Sequence, residues 1–318
     1  MDRSSALTPL RAAVAGFARR HPADRWCVGL SGGADSLALT AVAAALKPTA
    51  ALIVDHGLQT GSADVAAAAA AQARQLGCVD AQVISVDVGI EGGPEAAART
   101  ARYAALDAAR GGAPVLLAHT LDDQAETVLL GLGRGSGPRS LAGMRVWDPP
   151  WGRPLLAVRR ADTEAVCAEL GLTPWQDPHN TDPRYTRVRL RTEVLPLLEE
   201  VLAGGVAPAL ARTAAALRED NDALDALAAG HLAALCTDNG LPVAGLEDLP
   251  AALRRRVIRG WLLSVGASLL TDVQLRAVDA LVADWHGQGG VAVSSPLRYQ
   301  RLIVTRRAGL LTVASRPV

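Results

Sequence analysis

Between Arg25 and about Gly131, short and almost uninterrupted apolar runs alternate with longer stretches in which apolar residues return every three to four positions. WCVGL (residues 26–30) is the first run, followed by a glycine-rich turn and the helical stretch SLALTAVAAAL. ALIVD (51–55) predicts a second buried strand, and the alanine-rich segment from about Ser62 to Leu76 a helix behind it. AQVISVDV (81–88) alternates and reads as a third strand. PEAAARTARYAALDAAR (94–110) puts proline at an N1-like position and continues at helical period. PVLLAH (114–119) is a fourth strand, with LDDQAETVLLGL the helix after it. Strands apolar on both faces and separated by helices predict an α/β fold with a doubly wound parallel sheet.

The texture then changes. GRGSGPRSLAGMRVWD (133–148) is too glycine-rich and polar for a core element, and the stretch from Trp151 to Arg191 is rich in proline and arginine. Long alanine/leucine helices are expected from about Thr192 to Leu235, and the turn-rich DNGLPVAGLEDLP (238–250) suggests a boundary. Beyond it, two helices and the short strands VAVSS, LIVTRR and LLTVA read as a small α+β module. The expected organisation is therefore a large domain over 1–200, a helical linker over 201–240 and a small α+β domain over 241–318.

Composition narrows the chemistry. Half of the 318 residues are hydrophobic but only 3% are aromatic, so aliphatic side chains and alanine must fill the core. The formal net charge is zero, so any contact with nucleic acid needs a local basic patch. Lys47 is the only lysine, and a nucleotide site must therefore rely on backbone amides, arginine or metal. Cys27, Cys78, Cys167 and Cys236 form no Cys-x-x-Cys pair, which argues against structural zinc, an iron–sulfur cluster or a disulfide framework and fits a reducing cytosol. The N-terminus looks like an amphipathic helix and lacks the apolar run of a signal peptide, and no stretch has the roughly 18 consecutive apolar residues of a membrane span. A cytoplasmic protein with no membrane partner is expected.

The segment that carries chemistry is SGGADS, Ser31 to Ser36, between a predicted strand and a predicted helix. Gly32 and Gly33 let the backbone close on a ligand, so that amides point at phosphate oxygens. Ser36 lies at a helix N-terminus, where free N–H groups and the dipole favour an anion. Asp35 adds a carboxylate, useful beside phosphate only if a cation such as Mg²⁺ bridges the two. Neither G-x-x-x-x-G-K-[ST] nor G-x-G-x-x-G occurs, which disfavours γ-phosphate transfer and dinucleotide binding.

SGGADS resembles the SGGxDS loop of the N-type ATP pyrophosphatases (the PP-loop superfamily), which transfer AMP to an oxygen and release pyrophosphate. VDHGL (54–58), AARTARY (97–103), AHTLDDQAETVLLGLGRGSG (118–137), SLAGM (140–144), RPLL (153–156) and DPHNTDPRYTRVRLR (177–191) are similar, in order and spacing, to one branch of it, the tRNA(Ile)-lysidine synthases. The match covers about residues 25–200; the C-terminal part resembles the family's accessory domain only loosely. By this resemblance 1–200 is the catalytic domain and 241–318 a tRNA-docking domain. The implied activity is ATP-dependent ligation of free L-lysine to C2 of the wobble cytidine of an isoleucine tRNA with a CAU anticodon. An adenylated intermediate is implied, with release of AMP and pyrophosphate. The sequence is compatible with a homodimer.

Each candidate residue also has a plainer reading. Asp123 and Glu126 share a helix face, and acidic residues in a first turn often only complement the dipole. The resemblance makes them the lysine-binding pair, and makes Arg191 the group on the lysine carboxylate. Ser31, Gly32, Gly33, Ala34, Asp35, Ser36 and His56 would bind ATP, with Asp35 also a catalytic residue and the Mg²⁺ ligand. Arg99 and Arg102 could be a solvated helix face, but the resemblance puts Arg99 near the triphosphate as a catalytic cation. Arg134 and Arg139 lie in a loop expected to act as a lid, and Arg184, Arg187 and Arg189 form a basic cluster suited to RNA phosphates. Val188 departs from the family, which commonly has asparagine there. Two rivals remain: another ATP pyrophosphatase, such as a tRNA thiolase, which would need paired cysteines, and a nucleotide-binding regulator without catalysis, which Asp35, Asp123 and Glu126 disfavour.

Overall fold

In the first strand, β1 (Trp26–Gly29), alternate residues go to opposite faces of a sheet, as they must in a pleated strand. Trp26 and Val28 join one core cluster, with Ala51, Ile53 and Leu116, and Cys27 joins another with Leu52, Val115 and Leu117. Both faces of the sheet are thus dry. The computed structural model describes residues 5–57, 59, 61–89, 93–135, 137–297 and 300–317. Leu58 and Ser136, part of two stretches carrying the resemblance, lie outside the described residues.

The chain divides into two units, Met1–Ala216 and Leu217–Val318. In the first, the elements up to the crevice are α1 (Leu7–Arg20), β1, α2 (Ala34–Leu46), β2 (Thr49–Asp55), α3 (Ser62–Gln75), β3 (Asp80–Ser85), α4 (Pro94–Ala109), β4 (Val115–Leu116) and α5 (Leu121–Gly133). There follow α6 (Pro138–Leu141), a hairpin of β5 (Trp147–Asp148) and β6 (Trp151–Gly152), α7 (Arg160–Glu169), α8 (Thr186–Arg189) and α9 (Leu195–Val201). The strand order is β3-β2-β1-β4-β6-β5, parallel throughout except for β5 against β6. This is the expected mostly parallel α/β sheet. Leu10, Val14 and Phe17 of α1, the apolar α2, the alanine stripe Ala66, Ala69, Ala70 and Ala73 of α3, and Val166 and Cys167 of α7 pack on one face. Leu106 and Tyr103 of α4 pack on the other.

β1 lies between β2 and β4, so the chain moves to one side of β1 and later returns on the other. The gap beyond the carboxyl ends of β1 and β4 is the switch point where open α/β sheets bind ligands. β4 is shorter than PVLLAH predicted, because the chain turns away after Leu116 and delivers residues 117–120 to that gap. The β5–β6 hairpin has no counterpart in the sequence reading, since two-residue strands leave no periodic signal.

One further expectation is corrected. The 133–148 loop is not too polar to be buried: Ala142 is buried, and the Gln124 side chain bonds Met144 on both its amide (2.7 Å) and its carbonyl (3.0 Å). Arg134, Arg139, Arg145 and Asp148 are exposed. The helices expected from about Thr192 to Leu235 are α9 and α10 (Val206–Leu235), separated where Ala203, Gly204 and Gly205 all have positive φ.

The dividing point between the units falls within α10, inside the segment expected as a linker. The second unit adds β7 (Leu241–Pro242), α11 (Ala244–Glu247), α12 (Ala251–Ser264), α13 (Asp272–Ala283), β8 (Val291–Val293), β9 (Gln300–Arg307) and β10 (Leu310–Pro317). Its antiparallel sheet, in the order β7-β10-β9-β8, has its own core around Trp261, Ile258 and Val304. Ala228 belongs to that core, and Arg256 bonds Asp225 (2.8 Å) and Asn221 (2.7 Å), so this part of α10 is integral to the small unit. Among the described residues no single helix is long and apolar enough to cross a membrane.

Gly152 shows how closely the hairpin fits. A Cβ there would lie 2.5 Å from Phe17 Cζ and 2.9 Å from Leu116 Cδ2, both buried. Gly152→Ala should cost about 1–3 kcal/mol by overpacking, read as a lower melting temperature of the full chain; an unchanged melting temperature would refute this packing.

Candidate active site

The β1–α2 turn is held open by its own side chains. Gly32 has φ +85°, a left-handed conformation that suits glycine. The Ser36 hydroxyl donates to the Gly33 carbonyl (2.9 Å) and accepts from the Ser31 amide (3.2 Å), and Ser31 Oγ lies 3.1 Å from it. Trp175 closes the far side, its amide donating to the Gly32 carbonyl (2.9 Å). The first amides of α2 have no partner within their helix and face the gap, which makes the turn an anion cradle.

Helix α5 aims its acidic residues in three directions. Thr120 caps it: the Asp123 amide reaches Thr120 Oγ1 (3.4 Å), while Asp123 Oδ2 accepts from the Thr120 amide (2.8 Å). Asp122 turns to the start of α7, accepting from the Arg160 amide (2.8 Å) and from Arg159 Nε (3.1 Å). It serves α7 as a dipole-matched anchor. Asp123 Oδ1 and Glu126 point inward with Asp35 of α2.

One guanidinium meets all three inward carboxylates. Arg160 donates from Nη2 to Asp123 (2.7 Å) and from Nε to Asp35 (3.3 Å), and its Nη1 lies 3.6 Å from Glu126. Asp35 also accepts from the Thr163 hydroxyl. Arg191 approaches from the other side, with Nε on Glu126 Oε1 (2.7 Å), Nη2 on Oε2 (3.3 Å) and 3.6 Å from Asp123. It sits on a single π-helical turn, Leu190–Val194, a backbone irregularity frequent at functional sites. Glu126 is fully buried, and such a charge survives in a fold only when paired.

Burial and ion pairing pull these groups in different directions. Burial raises the Asp35 carboxyl, and Thr163 and Arg160 only partly offset it. Burial would also raise Asp123, but Arg160, the Thr120 amide and His119 together hold it below the usual carboxylate range. Burial would lower the Arg160 guanidinium, yet its three carboxylates raise it.

Two adjoining cavities open here. The larger, about 780 Å³, is lined by Ser31, Gly33, Ala34, Asp35 and Ser36 together with His119, Asp123, Arg160 and Arg191. The smaller, about 270 Å³, is mainly apolar, walled by Leu52, Ile53, Val54, His56, Ala66 and Leu106. Ser31, Arg102 and Trp175 line both. Arg102 Nε, His56 Nδ1 and His119 Nδ1 are buried there without a protein partner, the signature of a polar ligand site. Gln59, Asp177 and His179 form a hydrogen-bonded clasp beside the smaller cavity.

The other predicted arginines lie apart from this cluster. Arg99 is exposed, donating to the Tyr103 hydroxyl (3.2 Å), and lines neither cavity; Arg102, one turn on, lines both. Arg184 pairs with Asp182 (2.6 Å), Arg189 with Glu193 (2.8 Å), and Arg187 donates to Thr127 (3.2 Å). Val188 is buried, an apolar position on the inner side of α8. No described group of three or more His, Cys, Asp or Glu side chains could hold a metal ion by itself. A cation at Asp35 would need phosphate oxygens to complete its shell, which suits Mg²⁺ arriving with a nucleotide.

Arg160 and Trp175 were missed by the sequence reading. The signal for Arg160 was present as a charge argument: carboxylates gathered at one crevice require a cation. By the resemblance, that role falls to free lysine and Mg²⁺.

Burial is the largest cause of His119's displacement to about 3, so the fold holds it neutral. The stability carried by that neutral form is present above the unfolded value near 6.5 and is lost as pH falls toward 3. His119→Gln should therefore lose less melting temperature than the wild type between pH 7 and 5; equal losses would contradict the assignment.

A PP-loop domain model matches residues 7–198, and a TilS substrate binding domain model matches 241–307. The tRNA(Ile)-lysidine synthase of Mycobacterium tuberculosis is 67% identical over 324 residues, covering 100% of both chains. The enzymes of that name from Mycobacterium leprae (64%, 100% of both chains) and Nocardia farcinica (62%, 96% of this chain and 97% of that one) are similar throughout. Among solved structures, the U34-tRNA thiolase NcsA from Methanococcus maripaludis, with its [4Fe-4S] cluster, has a TM-score of 0.54 at 18% identity. It covers 67% of this chain and 80% of its own, and the likeness shows the shared fold. With relatives matched end to end on both units, this chain belongs to the tRNA(Ile)-lysidine synthase family.

Proposed function

We propose that the crevice adenylates the wobble cytidine of an isoleucine tRNA with a CAU anticodon and then joins free L-lysine to it, making lysidine. The observation that carries this reading is the meeting of an anion cradle and an anionic pocket in one cavity. Residues 31–36 present amides to phosphate, while Asp123 lines the same space and Glu126 is buried behind it, paired with Arg160 and Arg191. A triphosphate and an ammonium can be held there side by side, each by groups of opposite sign.

In the first step the cytidine C2 oxygen attacks the α-phosphorus of ATP, and the bond to pyrophosphate breaks. The adenine and ribose occupy the smaller cavity beside His56, and the pyrophosphate lies on the 31–36 amides. Arg102, between the cavities, stabilises charge as it develops at the α-phosphoryl group. Asp35 would hold Mg²⁺ brought with ATP, and the ion would supply positive charge to offset that of the phosphates. In the second step the lysine ε-amine attacks C2, the C2–oxygen bond breaks, AMP leaves with that oxygen, and the amine loses a proton. Asp123 and Glu126 hold the α-ammonium. The Nη1 edge of Arg191, not used in its bonds to Glu126, is left for the substrate carboxylate. The exposed Arg134 and Arg139, with Arg184, Arg187 and Arg189, serve the tRNA or the closure over it, the Asp182 partner of Arg184 and the Glu193 partner of Arg189 exchanging for phosphates. The small unit docks the tRNA.

Incubation with ATP, Mg²⁺, the CAU tRNA and radiolabelled lysine should put alkali-stable label into RNA. Asp123→Ala should lower it on the order of 10²-fold or more, the scale of losing one partner of a buried charge pair. Label independent of Asp123 would displace the lysine site, and absence of label with tRNA-stimulated pyrophosphate release would replace lysine by another nucleophile. Asp35→Asn should abolish pyrophosphate release while keeping or raising the melting temperature, since burial already disfavours that carboxylate. A sharply lower melting temperature would make Asp35 structural.

A further inference from the structure

The acidic pocket is already filled by the protein's own cation. Asp35, Asp123 and Glu126 carry three formal negative charges, Arg160 and Arg191 two positive ones, leaving a net charge of −1. That deficit fits one monocation. The geometry leaves little place for it beside the existing partners: Arg160 Nη2 is on Asp123 (2.7 Å), its Nη1 faces Glu126 (3.6 Å), and Arg191 takes both Glu126 oxygens. A ligand ammonium seated between Asp123 and Glu126 would lie where the Arg160 guanidinium now lies.

We propose that Arg160 is an internal place-holder for the substrate ammonium, exchanged out of the Asp123–Glu126 pair when lysine binds. This rests on the reading of that pair as the lysine site. Arg160 is suited to such exchange. It starts α7, where the Asp122 bond to its amide fixes the backbone while the side chain, partly exposed, can swing. Arg191, anchored bidentately, stays. The Nε contact of Arg160 with Asp35 also links the pocket to the phosphate loop, so the displaced guanidinium enters the phosphate side of the same cavity. Lysine binding would thus deliver a positive charge toward the triphosphate. In the empty enzyme Arg160 keeps three carboxylates from repelling one another and from repelling ATP. Arg160 is a positioning residue in this account: it meets substrate only after lysine has moved it.

The test is calorimetric titration of L-lysine into the full-length wild type, Arg160→Ala and Arg160→Lys. A competitor that fills the site lowers apparent affinity by the fraction of time the site is free, so its removal should tighten lysine binding about tenfold. Guanidinium ion at millimolar concentration, well below denaturing levels, should reverse the gain in Arg160→Ala competitively, which a merely structural residue would not produce. Arg160→Lys keeps the charge but cannot bridge three carboxylates and should fall between the two; it also serves if the alanine variant does not fold. Equal or weaker lysine affinity in both folded variants, or a gain insensitive to guanidinium, overturns the proposal. Asp123→Asn separates the two ideas. If it leaves lysine affinity intact in the wild type, the site reading has failed and the place-holder falls with it. If it abolishes binding while Arg160 variants show no gain, only the place-holder has failed.

Discussion

Three carboxylates within reach of one guanidinium, beside a loop built to hold phosphate, form the arrangement around which the large unit is organised. Each carboxylate alone would be costly to bury, and together they would repel one another and any nucleotide. Arg160 makes them compatible. The demands of that arrangement explain features that otherwise look unrelated. Asp122 anchors the first turn of α7, Thr120 fixes Asp123 through a reciprocal cap, and a π-helical turn carries Arg191. Local hydrogen bonding thus positions every charged group before any substrate arrives.

The sheet supplies the coordinates for this chemistry. Because β1 and β4 are neighbours with their carboxyl ends together, α2 and α5 begin at the same place, and their N-termini bring Asp35, Asp123 and Glu126 close. The alanine stripe of α3 and the small residues of α2 let helices lie close against the sheet. Catalysis by this family then asks little new of the fold. One wall of the crevice favours anions and the other favours cations, and the two-step reaction uses both.

Much of this was legible in the sequence. Buried parallel strands announce themselves as apolar runs, so the sheet could be predicted from β1 to β4. SGGADS and the LDDQAE stretch could be placed at strand ends because turn chemistry and helix starts are local. Local patterns say nothing about partners far apart in the chain. Arg160 lies 125 residues from the Asp35 it bonds, and nothing in RPLLAVRR distinguishes it from a surface arginine. Arg99 and Arg102 share one helix, and periodicity could not choose which would line the cavities; the structure selects Arg102. Some family-like stretches are packing rather than chemistry. SLAGM brings the buried Ala142 and the Met144 backbone clamped by Gln124, and RPLL contributes the buried Leu155 and Leu156.

In this reaction ATP is cleaved at its α-phosphorus, with AMP passing through the RNA base before lysine arrives. The most direct measurement omits lysine: the enzyme is mixed with Mg²⁺, CAU-anticodon isoleucine tRNA and ATP labelled at the α-phosphorus, and the RNA is isolated. Label should appear on the RNA and be released as AMP when lysine is added. Label recovered as ADP, with none on the RNA, would mean cleavage at the γ-phosphate and would contradict the assignment of the 31–36 loop.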